Sequence, residues 1–212
     1  MVRIRVLAAF VLILAGCFVY DNPVDTGIPP TATFQIVVTS VGYDGTYVWN
    51  SMDSAYEAMV GGTTYYVYQD SGFFWILASA LNQSHTGGCI ASSVNPKGAL
   101  PPTTNSGWSS AIAVDDSAGG ICLQSGSPDS PVAVGDILKV AFMASETGNG
   151  ATYKWLTSID YAGLSPVTVG TNSTYIVQLS DSGLWIRVVV TPTDSTGKRK
   201  GTPEVSQPVR IA

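Results

Sequence analysis

Between residues 18 and 128 the chain carries one basic side chain, Lys97, against eight acids: Asp21, Asp25, Asp44, Asp53, Glu57, Asp70, Asp115 and Asp116. Binding to a phosphate backbone needs clustered lysine and arginine, so no nucleic-acid partner is expected for this half. From residue 129 onward seven bases meet seven acids. Their one cluster, Lys198-Arg199-Lys200, lies between Gly197 and Gly201 and reads as a solvated hairpin tip. Histidine is scarcer still. His85 is the only one, so only His85 could serve as the base of a hydrolytic triad. It sits in Asn82-Gln83-Ser84-His85-Thr86-Gly87-Gly88, which reads as a surface loop, and no G-x-S-x-G elbow occurs in the chain. A glycosidase needs two carboxylates across a cleft. Asp115 and Asp116 are adjacent, so on a strand they would face opposite ways, and the run Asp115 to Gly120 reads as a turn. No D-x-D-x-D-G spacing for calcium is present. The expectation is a protein that is not an enzyme and uses no metal and no cofactor.

What the sequence does contain begins with MVRIRVLAAFVLILAGC. Arg3 and Arg5 form a positive segment, Val6 to Ala15 a short apolar run, and Leu14-Ala15-Gly16-Cys17 its end. That run is about half the roughly 20 apolar residues a membrane-spanning helix needs. The ending resembles the lipobox of bacterial lipoproteins. The resemblance implies a signal peptide over 1–16, acylation of Cys17 and a membrane partner reached through a lipid anchor. Phe18 follows Cys17 where an aspartate would retain some lipoproteins in the inner membrane, which favours the outer membrane or cell surface. Without Arg3 and Arg5 the formal charge moves from −5 to −7. With Cys17 lipidated, Cys89 and Cys122 remain as one pair in an oxidising compartment. A disulfide between them is the economical reading, with a metal-binding or catalytic thiol as its rival.

Residues 17–33 lack periodicity and are rich in Pro, Asp and Thr, as a tether is. Beyond them come short runs of β-branched and aromatic residues separated by Gly, Asn, Asp and Ser, such as FQIVVTSV, TTYYVYQ and FFWILAS. Met52 to Val60 reads as one or two helical turns or equally as a strand. The fold class is all-β, with a small acidic, aromatic-rich antiparallel domain over 34–126 followed by a β-sandwich over 129–212. The SGSPDSP run at 125–131 marks the boundary.

In the second half Val134-Gly135-Asp136-Ile137-Leu138, Tyr153-Lys154-Trp155, Ser173-Thr174-Tyr175, Asp181-Ser182-Gly183 and Ile186 to Thr191 stand at sandwich spacing. This half resembles the Ig-like domains found in tandem on bacterial surface proteins. The resemblance implies that Trp155 fills the space between two sheets, with no disulfide in this half. Gly45-Thr46-Tyr47, Tyr66 with Trp75-Ile76-Leu77, and Pro101 to Gly107-Trp108 resemble a repeat of extracellular proteins, which implies location and fold but no activity.

Aromatic side chains concentrate in the acidic half. Alternation along Tyr65-Tyr66-Val67-Tyr68 sends Tyr66 and Tyr68 to one face and Tyr65 and Val67 to the other. Exposed rings could stack on sugars, with nearby Asp and Asn accepting hydroxyl protons, so Trp49, Tyr66, Tyr68 and Trp108 are the candidate ligand-binding residues; the alternative is that these rings are core. The expected function is a non-catalytic envelope lipoprotein that binds a glycan or protein ligand. A structural spacer or assembly subunit is the second reading, and an accessory protein of a secreted hydrolase the third.

Overall fold

The computed structural model describes residues 29–94, 98–125, 130–145 and 150–212, so the leader, Cys17 and most of the tether lie outside the described residues. The described chain is predominantly antiparallel β-sheet, with two single-turn helices at Asn105–Gly107 and Leu179–Asp181. Met52 to Val60 resolves as a turn leading into the strand Ala55–Val60. Among the described residues no helix is long and apolar enough to cross a membrane.

The acidic half forms one curled seven-stranded sheet. Gln35–Thr39, Gly45–Asn50, Ala55–Val60, Thr63–Gln69, Trp75–Ala78 and Ala91–Ser92 follow one another as a meander, and Ala113–Ala118 returns to pair with Gln35–Thr39. Period-two alternation explains its two faces. Ile36, Val38, Tyr47, Tyr56, Val67, Trp75, Leu77 and Trp108 fill one core. Tyr68, Ile76, Ala55 and Ala78 form a smaller cluster on the other face, with Tyr66 and Phe74 packed against it. The division of Tyr66 and Tyr68 from Tyr65 and Val67 follows the sequence alternation. Asp115 and Asp116 lie on the strand Ala113–Ala118, not in the expected turn, with Asp115 exposed and Asp116 half-buried. The turn comes afterwards, where the Gly119 amide donates to the Asp116 carbonyl.

Backbone pairing passes from this sheet to the next between Ala118 and Gly120. The strand Gly120–Ser125 pairs with Ile137–Ala141, which also pairs with Thr174–Ile176. Gly120 is buried at φ +109°, and a Cβ there would overlap the side-chain oxygen of Gln207. Only glycine meets both demands, so the crossing is written at this residue. Gln207 is itself buried and donates from Nε2 to the Ala99 carbonyl at 3.1 Å.

A further sheet contains Val167–Gly170, Gly150–Ser158 and Trp185–Thr193, and Glu204–Val205 and Val209–Arg210 both pair with Trp185–Thr193. Ile121, Leu138 and Val140 from one sheet meet Trp155, Ile186, Val188 and Val190 from the other in a single core. Trp155 is fully buried, its indole nitrogen donates to the Asn172 carbonyl at 2.8 Å, and its ring stacks on Tyr175 with centroids 5.7 Å apart. The Tyr175 hydroxyl donates to the buried Asp181 carboxylate at 2.6 Å, so a polar tip inside an apolar core is satisfied. Phe34 also enters this core, and Ala32–Thr33 pairs with Met143–Ala144. Two strands of the first half, Ala32–Thr33 and Gly120–Ser125, thus pair with strands of the second, and Trp49 packs against both cores.

The expected Cys89–Cys122 bridge is corrected: both cysteines are free. Cys89 packs on the outer face of the seven-stranded sheet, its sulfur 4.0 Å from the His85 carbonyl. Cys122 lies on Gly120–Ser125 in a different sheet, with its sulfur 3.5 Å from the Lys139 carbonyl. Both cysteines fall within the acidic stretch 34–126 of the sequence, but the crossing at Gly120 puts them in different sheets.

Candidate functional site

The strand Trp185–Thr193 buries Ile186, Val188 and Val190 in the core, so Trp185 and Arg187 stand on its opposite face. Tyr161 meets the Trp185 ring edge-on at 5.0 Å and 90°. Arg210 is paired with Trp185 across the strands and places its guanidinium 5.6 Å from the ring centroid, within cation–π range. Phe73 arrives from the seven-stranded sheet, its ring 6.1 Å from Trp185. Phe73 is 38% and Tyr161 42% exposed, so these rings face solvent as well as one another.

The loop that presents Phe73 is fixed by one carboxylate. Asp70 is buried, and its Oδ1 accepts the amides of Gly72 at 2.9 Å and Phe74 at 3.0 Å. Its Oδ2 accepts the His85 amide at 2.9 Å and lies 2.5 Å from His85 Nδ1. The His85 ring stacks on Phe74 at 3.8 Å. Burial pushes the Asp70 carboxyl up, but the His85 amide and imidazole, with the Phe74 and Gly72 amides, pull it further down, below the ordinary aspartate value. His85 therefore clamps two loops through Asp70. This constraint holds Phe73 at φ 64°, a left-handed conformation that costs energy for a side chain of its size.

A cavity of about 760 Å³ runs beside these rings, lined among others by Tyr68, Asp70, Phe73, Gln83, Tyr161 and Trp185. A more apolar cavity of about 310 Å³, which also borders Phe73, is lined by Gln69, Pro131, Val209 and Ile211. Both fall at the small end or within the range of ligand clefts. Among the described residues four non-glycine residues have positive φ, and three of them, Ser54, Phe73 and Asn82, line the larger cavity. Of these, Phe73 is the one whose side chain is large enough for the left-handed conformation to be costly. The arrangement supplies ring faces for stacking, the Asn82 and Gln83 amides and the exposed Asp53 carboxylate for hydroxyls, and one guanidinium, while the Asp70 carboxylate is taken up by backbone amides and His85.

The four candidate rings have different fates. Trp108 is buried and its indole nitrogen donates to the Pro102 carbonyl at 2.8 Å. Tyr68 is mostly buried, with its hydroxyl accepting the Gln83 amide at 2.8 Å, yet it borders the larger cavity. Tyr66 is half-buried on the outer face of the seven-stranded sheet. Trp49 is half-buried between the two cores and borders a third cavity, shared with Tyr161 and Arg187. Sequence reasoning missed Tyr161 and Trp185 because it sought candidate rings in the acidic half, where aromatic side chains concentrate. The signal was there: once Ile186, Val188 and Val190 face inward, alternation sends Trp185 outward. Among the described residues no group of three or more His, Cys, Asp and Glu side chains could hold a metal ion. Compared with known proteins, the chain matches no family model, no curated protein and no solved structure.

Proposed function

We propose that this chain is a non-catalytic, lipid-anchored cell-envelope protein whose aromatic cleft binds a glycan. The observation that carries this reading is the convergence of Phe73 and Tyr161, presented by two turns, with the half-buried Trp185 of the strand Trp185–Thr193, beside Asn82 and Gln83. Sugar rings present apolar faces to such platforms and hydroxyls to the neighbouring polar groups. In this reading the site lies between the two halves, not within the acidic half alone. The sandwich built around Trp155 is Ig-like in its tryptophan and in the Asp181-Ser182-Gly183 turn, and serves as one wall of the cleft. An oligosaccharide screen of the mature protein, repeated with Trp185→Ala and Phe73→Ala, tests it. Each variant should weaken a retained glycan by about 1 to 3 kcal/mol without shifting the thermal midpoint by more than a few degrees. Glycan binding unchanged in both variants would remove the cleft from the account.

The lipid anchor is a separate element of the proposal and rests on the lipobox. Two or more acyl chains at Cys17 give stable attachment, since each buried methylene contributes about 0.8 kcal/mol. Cys17→Ser should move the protein from the detergent phase to the aqueous phase or leave it unprocessed. A variant that is still lipidated and membrane-bound would reject this element.

The spacer reading is favoured by one observation. The strand Val167–Gly170 is a sheet edge with Val167 62% exposed and Leu164 nearby 69% exposed, a surface on which another strand could add.

A further inference from the structure

The basic run Lys198-Arg199-Lys200 has no part in the aromatic cleft. It lies past the far end of the same strand: eight residue steps of extended chain, about 27 Å, separate Trp185 from Thr193, where the strand turns into the tip. The turn is ordered. The Gly197 amide donates to the Asp194 carbonyl at 2.9 Å, the Asp194 amide donates to the Arg199 carbonyl at 3.0 Å, and Lys200 pairs back with Thr193. Asp194 Oδ1 accepts the amides of Thr196 at 3.1 Å and Lys198 at 3.0 Å, and the Thr196 hydroxyl at 2.9 Å. Its carboxylate braces the backbone of the tip, while Lys198 and Lys200 are exposed and Arg199 is half-buried.

The tether enters the fold at the same place. Pro30 is buried against Gly201, the residue after the run, so closely that a Cβ there would lie 1.8 Å from the Pro30 carbonyl oxygen. The Thr31 amide then donates to the Ser145 hydroxyl at 2.9 Å and Ala32–Thr33 pairs with Met143–Ala144, which fixes the entry point at this end of the sandwich. Thirteen residue steps join Pro30 to Cys17, at most about 45 Å of chain. Acyl chains on Cys17 hold the tip within that reach of a bilayer. Three of the eight basic side chains that follow Cys17 stand here, in a mature chain of formal charge −7 that an anionic surface repels as a whole. Leading with this end is the presentation that brings clustered positive charge to such a surface.

We propose that Lys198, Arg199 and Lys200 dock on anionic lipid headgroups of the bilayer that holds Cys17, and that this contact turns the Trp185 end of the strand, and with it the aromatic cleft, away from the membrane. Clustered bases beside a lipid anchor add to its hold, because each is stabilised near an anionic surface. This rests on the lipid-anchor reading and adds to it a second membrane contact and an orientation.

The test is amine footprinting of the lipidated mature protein on vesicles of phosphatidylcholine alone and on vesicles in which phosphatidylglycerol replaces about a third of that lipid. Acylation by a water-soluble reagent, read lysine by lysine by mass spectrometry, should be about 10-fold slower at Lys198 and Lys200 on the anionic vesicles. The exposed Lys154, on the strand Gly150–Ser158, should change by less than about 2-fold. Salt at about 0.5 M should abolish the difference, since it screens charges beyond about 5 Å. Lys198→Gln should return Lys200, and Lys200→Gln should return Lys198, to within about 2-fold of its rate on neutral vesicles. Equal rates at Lys198 and Lys200 on the two kinds of vesicle, with the protein floating with both, would overturn the docked tip and leave the anchor standing. Protein lost from both kinds of vesicle would overturn the anchor and the docked tip together.

Discussion

Replacing Trp155 by alanine should cost about 3 to 5 kcal/mol, a large part of the roughly 5 to 15 kcal/mol that holds a domain together. Trp155 is fully buried where Ile121 and Leu138 of one sheet meet Ile186 and Val188 of the other. The substitution also leaves the Asn172 carbonyl without the indole donor and Tyr175 without its stacking partner. Because Phe34 and Ile121 bring adjoining strands of the acidic half into this core, the damage should not stay in the second half. Thermal unfolding of the full chain, followed by near-ultraviolet circular dichroism, should show a midpoint lowered by about 6 to 20 °C in a protein of this size. A midpoint within two degrees of the wild type would mean that Trp155 is not the anchor of this core.

Asp70→Asn should be the most damaging change at the cleft. The carboxylate accepts from three backbone amides and faces His85 Nδ1, and an amide in its place turns one acceptor oxygen into a donor aimed at other donors. The cost should be about 2 to 4 kcal/mol, the range for a buried charged acceptor lost from its donors. The Phe73 turn should lose its ordered conformation with it. The same carboxylate predicts a pH dependence. Its folded value lies below the unfolded aspartate value of about 3.9, so its stabilisation is fully present above that pH and is lost as the pH falls through the folded value. Denaturant melts between pH 5 and pH 2.5 should therefore show a steeper fall in stability for the wild type than for Asp70→Asn. Parallel falls would assign the acid sensitivity to other groups.

Local pattern was legible where a strand has one buried face. The division of Val67 from Tyr66 and Tyr68 could be read from alternation, and the burial of Trp155 was what the Ig-like resemblance implied. What alternation does not carry is which sheet a strand joins. The run Ile121-Cys122-Leu123 was assigned to the acidic half by its place before the SGSPDSP segment, but its partner is Ile137–Ala141, because the chain turns away at Gly119-Gly120. That choice rests on a buried φ +109° residue and on Gln207, 87 positions later, which no local window contains. The supposed disulfide failed for the same reason, since it took sequence neighbourhood for spatial neighbourhood. The cleft was only half visible: Phe73 belongs to the aromatic half, but Tyr161, Trp185 and Arg210 meet it through long-range pairing of Trp185 with Arg210 and through ring contacts across two sheets.

The central claim is that a glycan stacks on the rings between the two halves, and tryptophan indole resonances report on it directly. In a proton–nitrogen NMR titration of the mature protein with a retained oligosaccharide, the Trp185 indole signal, assigned with Trp185→Phe, should shift progressively and saturably. The signals of Trp155 and Trp108, whose indole nitrogens are tied to the Asn172 and Pro102 carbonyls inside their cores, should stay in place. Saturable shifts confined to residues away from Phe73, Tyr161 and Trp185 would contradict the account.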